Sequence, residues 1–269
     1  MFRSLAAVLF AALVVAPGAL AAYPGTYAQQ GSDGVLDPDL SSRYVASNSG
    51  GDTLVQVFST RDGTRMRSQT LSGQFGVPTL IPSNIGLGMF HDGSAFVLQS
   101  IANQASTSFA VLRTSDLSVG QMITLPGSFA FDALSPDGTR LYLIEHKSSD
   151  YQHYIVRAYD LAAQQLLPGR IADKAQKSWV MQGFPTSRVE TPSGRWVYTL
   201  YSNPGGFPFV HALDTVNGVA HCVGLGWKGS QDPLFNYQLK LKGNKLLVLR
   251  NDATVYRVID RTTWAVHKR

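Results

Sequence analysis

Four residues able to carry charge or move a proton recur at one offset. Arg113, Arg157, His211 and Arg257 stand three residues before Asp116, Asp160, Asp214 and Asp260. Their flanks are mostly apolar, as in Val156-Arg157-Ala158 and Val210-His211-Ala212, so the column is expected between packed layers. A partly buried cation needs a carboxylate or carbonyl partner. A cation repeated once per unit suits holding units together better than catalysis, because an active site has no reason to repeat. A second set stands six residues before turn glycines: Asp132 and Arg188, with Leu87 and Tyr237 at the same place in other units. Asp132 and Arg188 read first as a salt bridge and second as a small polar ligand site. Glu190 is the other carboxylate of this region, and a lone carboxylate is a weak catalytic signal.

Other chemistry is thin. His146 and His153 flank a polar loop and His221 adjoins Cys222, neither with the spacing of a three- or four-ligand zinc set. There is no Gly-x-Ser-x-Gly elbow, no glycine-rich phosphate loop followed by lysine, and no dinucleotide fingerprint. No catalytic set is legible, and neither a metal nor a cofactor is expected.

The elements that must position these residues repeat along the chain. Ser135-Pro136-Asp137-Gly138 leads into Leu141–Ile144, and Thr191-Pro192-Ser193-Gly194 leads into Trp196–Tyr198; strands ending at Asp160 and Asp214 follow. Weaker copies run from His91-Asp92-Gly93 to Asp116 and from Lys242-Gly243-Asn244 to Asp260; the first keeps only its second half, Val55–Phe58 to Asp62. Pro136 presets one turn dihedral and Asp137-Gly138 tolerates the positive ones a tight hairpin requires. The runs 141–144, 154–160, 196–201, 209–214, 246–250 and 254–260 are short and rich in β-branched and aromatic residues, and no segment holds a helical period. Aspartate-to-aspartate steps near 40–45 residues match four strands and three turns, with insertions in the longer steps Asp62–Asp116 and Asp160–Asp214. The reading is an all-β propeller of five or six four-stranded blades over residues 42–269. Residues 22–41 read as a poorly ordered arm or an added strand, completing a split blade or closing the ring on the last one.

In such a blade the first and third turns lie on one face, and the second loops and blade connections on the other. The first set is uniformly tight. The long segments 146–153, 171–187, 201–208 and 226–236 all belong to the second set and carry Tyr151, Trp179, Phe184, Tyr201, Phe207, Trp227 and Phe235. Long loops on a rigid scaffold are where binding resides, and exposed aromatics supply much of its energy. Segments 146–153, 171–187 and 201–208 are expected to form one surface over blades three and four. Trp179 is its best anchor, set among Lys174, Lys177 and Ser178.

Residues 1–21 have the layout of a secretory signal peptide: Arg3, the apolar run Leu5–Ala16, and the small-x-small site Ala19-Leu20-Ala21. The mature chain is therefore expected to begin at Ala22 and to act outside the cytoplasm, periplasmic or secreted. No later stretch reaches the 18 or so apolar residues of a membrane helix. Cleavage removes Arg3 and lowers the formal net charge from +5 by one. The basic residues are scattered, which argues against nucleic acid. The partner is expected to be a protein or small-molecule ligand of the envelope or exterior. Cys222 is the single cysteine, so no internal disulfide forms, and it reads as a buried, inert thiol.

The stretch Phe131–Tyr142, with its Ser-Pro-Asp-Gly turn, resembles the repeat of the TolB, YVTN and WD-repeat-like propellers. The segments Arg195–Tyr201 and Phe209–Asp214 are similar to uncharacterised secreted propellers of actinobacterial type. The resemblance covers 128–226 well and the rest loosely, and it implies a fold with no assigned reaction. A second resemblance, to lactonase-type propellers, implies polar or metal-ligating side chains at the channel mouth, and no such set can be matched residue by residue.

Overall fold

A computed structural model describes residues 26–80, 85–101, 105–147, 153–173, 180–202, 207–227 and 236–268. The expected leader, 1–21, lies outside the described residues. No helix long and apolar enough to cross a membrane occurs among them. After β1 (Tyr27–Gln29), blade one is built from β2 (Val35–Leu36), β3 (Ser42–Ser49), β4 (Asp52–Ser59) and β5 (Arg65–Leu71). Blade two follows with β6 (Phe75–Leu80), the two-residue β7 (Ile85–Gly86), β8 (Ala95–Ser100), β9 (Ser106–Arg113) and β10 (Val119–Pro126). Blade three comprises β11 (Phe129–Leu134), β12 (Arg140–His146), β13 (His153–Asp160) and β14 (Gln165–Leu166), with β15 (Met181–Gln182) added to β13. Blade four is β16 (Phe184–Glu190), β17 (Trp196–Ser202), β18 (Phe209–Asp214) and β19 (Val219–Gly224). Blade five is β20 (Tyr237–Lys242), β21 (Lys245–Arg250), β22 (Val255–Asp260) and β23 (Val266–Lys268). All the strand pairs among the described residues are antiparallel, and these residues form the all-β propeller expected, in five blades.

Side chains alternate across each strand, so both faces of a blade must be covered by neighbours. Tyr44, Val55 and Val57 of blade one meet Phe75, Phe96 and Leu112 of blade two. Val97 and Phe109 meet Phe131 and Leu143 of blade three. Ile144, Tyr154 and Val156 meet Tyr201 and Phe209 of blade four. Tyr198, Leu200 and Val210 meet Tyr237, Leu246 and Val248 of blade five. Among the described residues no core cluster joins blade five to blade one.

One backbone bond recurs in all five blades and fixes their true alignment. The amides of Thr60, Thr114, Leu161, Thr215 and Arg261 donate to the carbonyls of Ser41, Ser94, Thr139, Arg195 and Asn244. The residue before each amide opens the turn between the third and fourth strands: Ser59, Arg113, Asp160, Asp214 and Asp260. Aligning on aspartates is therefore displaced by three residues in the first two blades. Asp62 and Asp116 sit inside their turns, where they accept the amides of Thr64 and Ser118. Asp214 and Asp260 open theirs and accept Val216 with Asn217, and Thr262 with Thr263. Both arrangements satisfy turn amides with a carboxylate, so the sequence looks alike. Arg113 thereby leaves the column: it is an exposed turn residue bonded to Ser118. The column runs Gln56, Ala110, Arg157, His211, Arg257.

Blade one also has the first-strand turn that its sequence hid. Asp37-Pro38-Asp39-Leu40 closes through Leu40 N–H to Asp37 O, as Gly138 does to Ser135 and Gly194 to Thr191. Leu40 occupies the left-handed position (φ 60°) that glycine holds in the other blades. The arm thus supplies β2 and this turn.

The remainder of the arm stands at the propeller axis. Tyr27–Gln29 pairs with Thr79, Pro78 and Val77 of β6, on the edge away from β8. Among the described residues no N-terminal strand joins the last blade, whose fourth strand is β23. Gly76 permits the approach, since a Cβ there would lie 2.5 Å from Gln29 N. Thr26 Oγ1 donates to Phe131 O at 2.7 Å, linking arm to blade three.

Candidate functional site

On the tight-turn face three hairpins converge beside the axis. Gly194 (φ 69°) has so little space that a Cβ would lie 3.2 Å from each of Glu190 Oε1, His91 Nδ1 and Pro136 Cγ. Turns from blades two, three and four therefore meet at one glycine. His91 Nε2 lies 3.0 Å from the Pro192 carbonyl, which makes that nitrogen the donor and leaves Nδ1 as the acceptor on the Gly194 side, where Glu190 Oε1 also approaches. A cavity of about 540 Å³ opens here, lined by Asp33, Val35, Arg43, Gly88, Met89 and Glu190. Glu190 and Met89 also line a small recess running toward Phe131 and Arg188.

Glu190 lies at the end of β16, exposed at the rim, with protein atoms around much of its carboxyl. Desolvation raises the carboxyl above the ordinary glutamate value, against the opposing pull of Arg188 and His91. A weakened acid beside an imidazole nitrogen can exchange a proton with a bound polar molecule. Sequence reading named Glu190 and missed His91, which comes from a turn about a hundred residues away; only the fold brings them together.

Asp132 and Arg188 do form a salt bridge, at 3.1 Å, with side chains 5% and 7% exposed. A β-bulge in β11 between Phe131 and Ala133 leaves Asp132 without a cross-strand partner. The pair closes the seam between blades three and four. His211 follows on β18, 2% exposed. Its Nδ1 is 3.8 Å from Cys222 Sγ, and its Nε2 has no hydrogen-bond partner among the described residues. Burial pushes the Cys222 thiol up to about 12, helped by Asp173, so the thiol is inert at neutral pH. The neighbouring histidine in sequence, His221, points to the opposite side of β19 and lies tilted against Trp264, ring centres 4.6 Å apart.

The other cations of the column are held by proximity. Arg157 donates to Glu145 at 2.6 Å and to the Leu167 carbonyl at 2.9 Å. Arg257 is buried under Tyr256, 4.1 Å from the ring centre, and Trp227, 5.1 Å, and donates to Leu225 O in blade four's final connection.

On the long-loop face the described ends of three segments meet. Met181–Gln182 of the insertion pairs with His153–Tyr154, and Gln182 Nε2 lies 3.0 Å from His153 Nε2. Phe184 pairs with Ser202, Ile171 bridges Val156, and Asp173 bridges Ala220 and accepts the Cys222 amide at 2.9 Å. Phe207 is 52% exposed and Phe184 half-buried. Tyr201 corrects its expected role: it is 1% exposed, stacked on Phe209 at 5.2 Å and on Tyr154 at 5.6 Å. It belongs to strand β17, whose inward side it occupies, so it seals the blades and offers nothing to a partner. Trp179, Tyr151 and Phe235 lie outside the described residues.

No family model matches this chain, and no curated protein does. Solved structures do. Hydrazine synthase of Kuenenia stuttgartiensis aligns over 83% of this chain and 62% of its own, at 15% identity and a TM-score of 0.52. TolB of Acinetobacter baumannii aligns over 86% of this chain and 52% of its own, at 14% identity and a TM-score of 0.46. An acylaminoacyl peptidase aligns over 88% of this chain and 38% of its own, at 8% identity and a TM-score of 0.51. The chain thus spans about half to two thirds of the first two. Likeness at such identities carries fold and no reaction: this chain is similar to β-propellers of several activities.

Proposed function

We propose that the protein is an exported, non-enzymatic binding or scaffolding module that holds its partner on the long-loop face over blades three and four. The partner is a protein or small molecule of the envelope or exterior. The observation that supports this reading is the pairing of the described loop ends, His153 with Gln182 and Phe184 with Ser202, and the exposure of Phe207 at the end of the third segment. Trp179, Tyr151, Phe184 and Phe207 are the proposed contacts. The mature protein, used as bait on the envelope fraction, is expected to capture a partner that Trp179→Ala bait recovers at least about tenfold less well. Its melting temperature should stay within a degree or two, as for a surface substitution. Full capture by Trp179→Ala, or its unfolding, would remove this face from consideration.

A second reading, a hydrolase or lactonase working at the axial mouth, is favoured by the convergence of Glu190 and His91 on Gly194. Assay of the mature protein against ester and lactone panels separates the two. Turnover lost in Glu190→Gln without loss of stability would place the enzyme reading first, and absence of turnover supports the binding module.

A further inference from the structure

The two sides of blade five differ. Tyr237, Leu239, Leu246, Val248 and Ile259 pack against blade four. The opposite side follows from strand register: Lys240 pairs with Leu247, which pairs with Val258, and Lys242 pairs with Lys245. A β-bulge in the β21–β22 pairing puts Val255 opposite Leu249 and leaves both on this same side. Here Gln238, Lys240, Lys242 and Lys245 are exposed, and Leu247, Leu249 and Val255 are only half-buried. Lys242 and Lys245 flank a groove of about 330 Å³ whose floor is Leu247, Val255 and Val258. None of the three lysines has an ion-pair partner among the described residues. Among the described residues the carboxylate of this side is Asp260, opposite Lys245 in the register; its Oδ1 accepts the amides of Thr262 and Thr263, and it forms no ion pair with Lys245.

In a propeller this side should be covered by another blade. Of the floor, Val258 is buried and Leu247 and Val255 are half-buried; the part that no described residue covers favours an occupant. Three unpaired lysines around it decide which occupant: they repel a second copy presenting the same side and attract carboxylates. We propose that this side of blade five docks an acidic, extended polypeptide segment. Its apolar side chains lie on Leu247, Val255 and Val258, and its carboxylates pair with Lys240, Lys242 and Lys245. Lys240 and Lys242 line the β20 edge of this side with Lys245 beside them, and Leu247, Leu249, Val255 and Val258 lie across β21 and β22. Because every second side chain of an extended segment faces the same way, the docked side of the segment carries apolar and acidic residues together. This surface is independent of the long-loop face and of the axial mouth.

Two short capped peptides test it by fluorescence anisotropy, one a valine–glutamate peptide repeating Val-Val-Glu-Glu, which sets both residue types on each side of an extended chain, the other repeating Val-Val-Lys-Lys. The mature protein should bind the first and not the second. The Lys240→Gln/Lys242→Gln/Lys245→Gln variant should bind it at least about tenfold more weakly, and Leu247→Asp should do the same with the lysines intact. The melting temperature of each variant is followed, and the glutamine variant, altered only at exposed positions, keeps the test valid should Leu247→Asp unfold. Undetectable binding of the valine–glutamate peptide overturns the proposal. So does equal binding of a glycine–glutamate peptide, which would reduce the site to charge alone. A concentration-dependent dimer lost in Leu247→Asp would assign the face to a second copy and overturn it equally.

Discussion

Asp132→Ala should lower stability to unfolding by about 3–5 kcal/mol. The substitution leaves the Arg188 guanidinium, with 7% of its side chain exposed, in the seam without the carboxylate 3.1 Å away. The cost is that of a stranded buried charge and not the net worth of the pair, which desolvation largely offsets. Removing both charges together, as Asp132→Leu with Arg188→Met, should therefore restore most of the loss. Urea unfolding of the two single variants and the double variant measures the coupling directly. Additive losses would mean that Arg188 is held by other groups, Glu190 foremost.

The second expected result is acid lability traceable to His211. Burial is the main reason its imidazole titrates below the ordinary histidine value; Arg188 pushes the same way, while Asp132 and Asp173 pull it back up. The unfolded chain, titrating near 6.5, therefore takes up a proton that the folded chain refuses. This contribution to stability is complete above the unfolded value and is lost as pH falls below about 6.5 toward the lower folded value. Between pH 7 and pH 5 the wild-type melting temperature should fall, and His211→Leu should flatten that slope. His211→Ala, which opens space in the seam, should cost about 1–3 kcal/mol at neutral pH. An unchanged slope in His211→Leu would assign the acid response to another group.

The repeat was legible because Pro136, Gly138, Pro192 and Gly194 mark turns whose geometry few residues satisfy. Its phase was less so. An aspartate helps a turn equally from its first position, as Asp214, or from inside it, as Asp116, so composition alone does not set register. The left-handed position of the third turn holds Gly63, Leu117, Gln164, Gly218 and Trp264 in the five blades, and only two of these look like turn residues. Leu40 hid blade one's first turn in the same way. For the candidate sites, the Asp132–Arg188 pair was readable because both stand at one place in adjacent repeats. The approach of His91 to Glu190 was not, since it depends on how closely the turns pack at Gly194. Tyr201 was misassigned because a loop boundary falls within β17, one residue short of its end.

The placement of β1 sets the order of synthesis against the order of assembly. Its partners arise later, β6 at residues 75–80 and then Phe131, 105 residues beyond Thr26. A chain emerging from its N-terminus can complete each blade in turn, but its first segment must wait for blades two and three before it has a seat. Contacts so distant in sequence slow folding. Until they form, the inner edge of β6 is unpaired and able to accept a wrong strand. In time, β1 is made before either of its partners and is seated only once blade three exists.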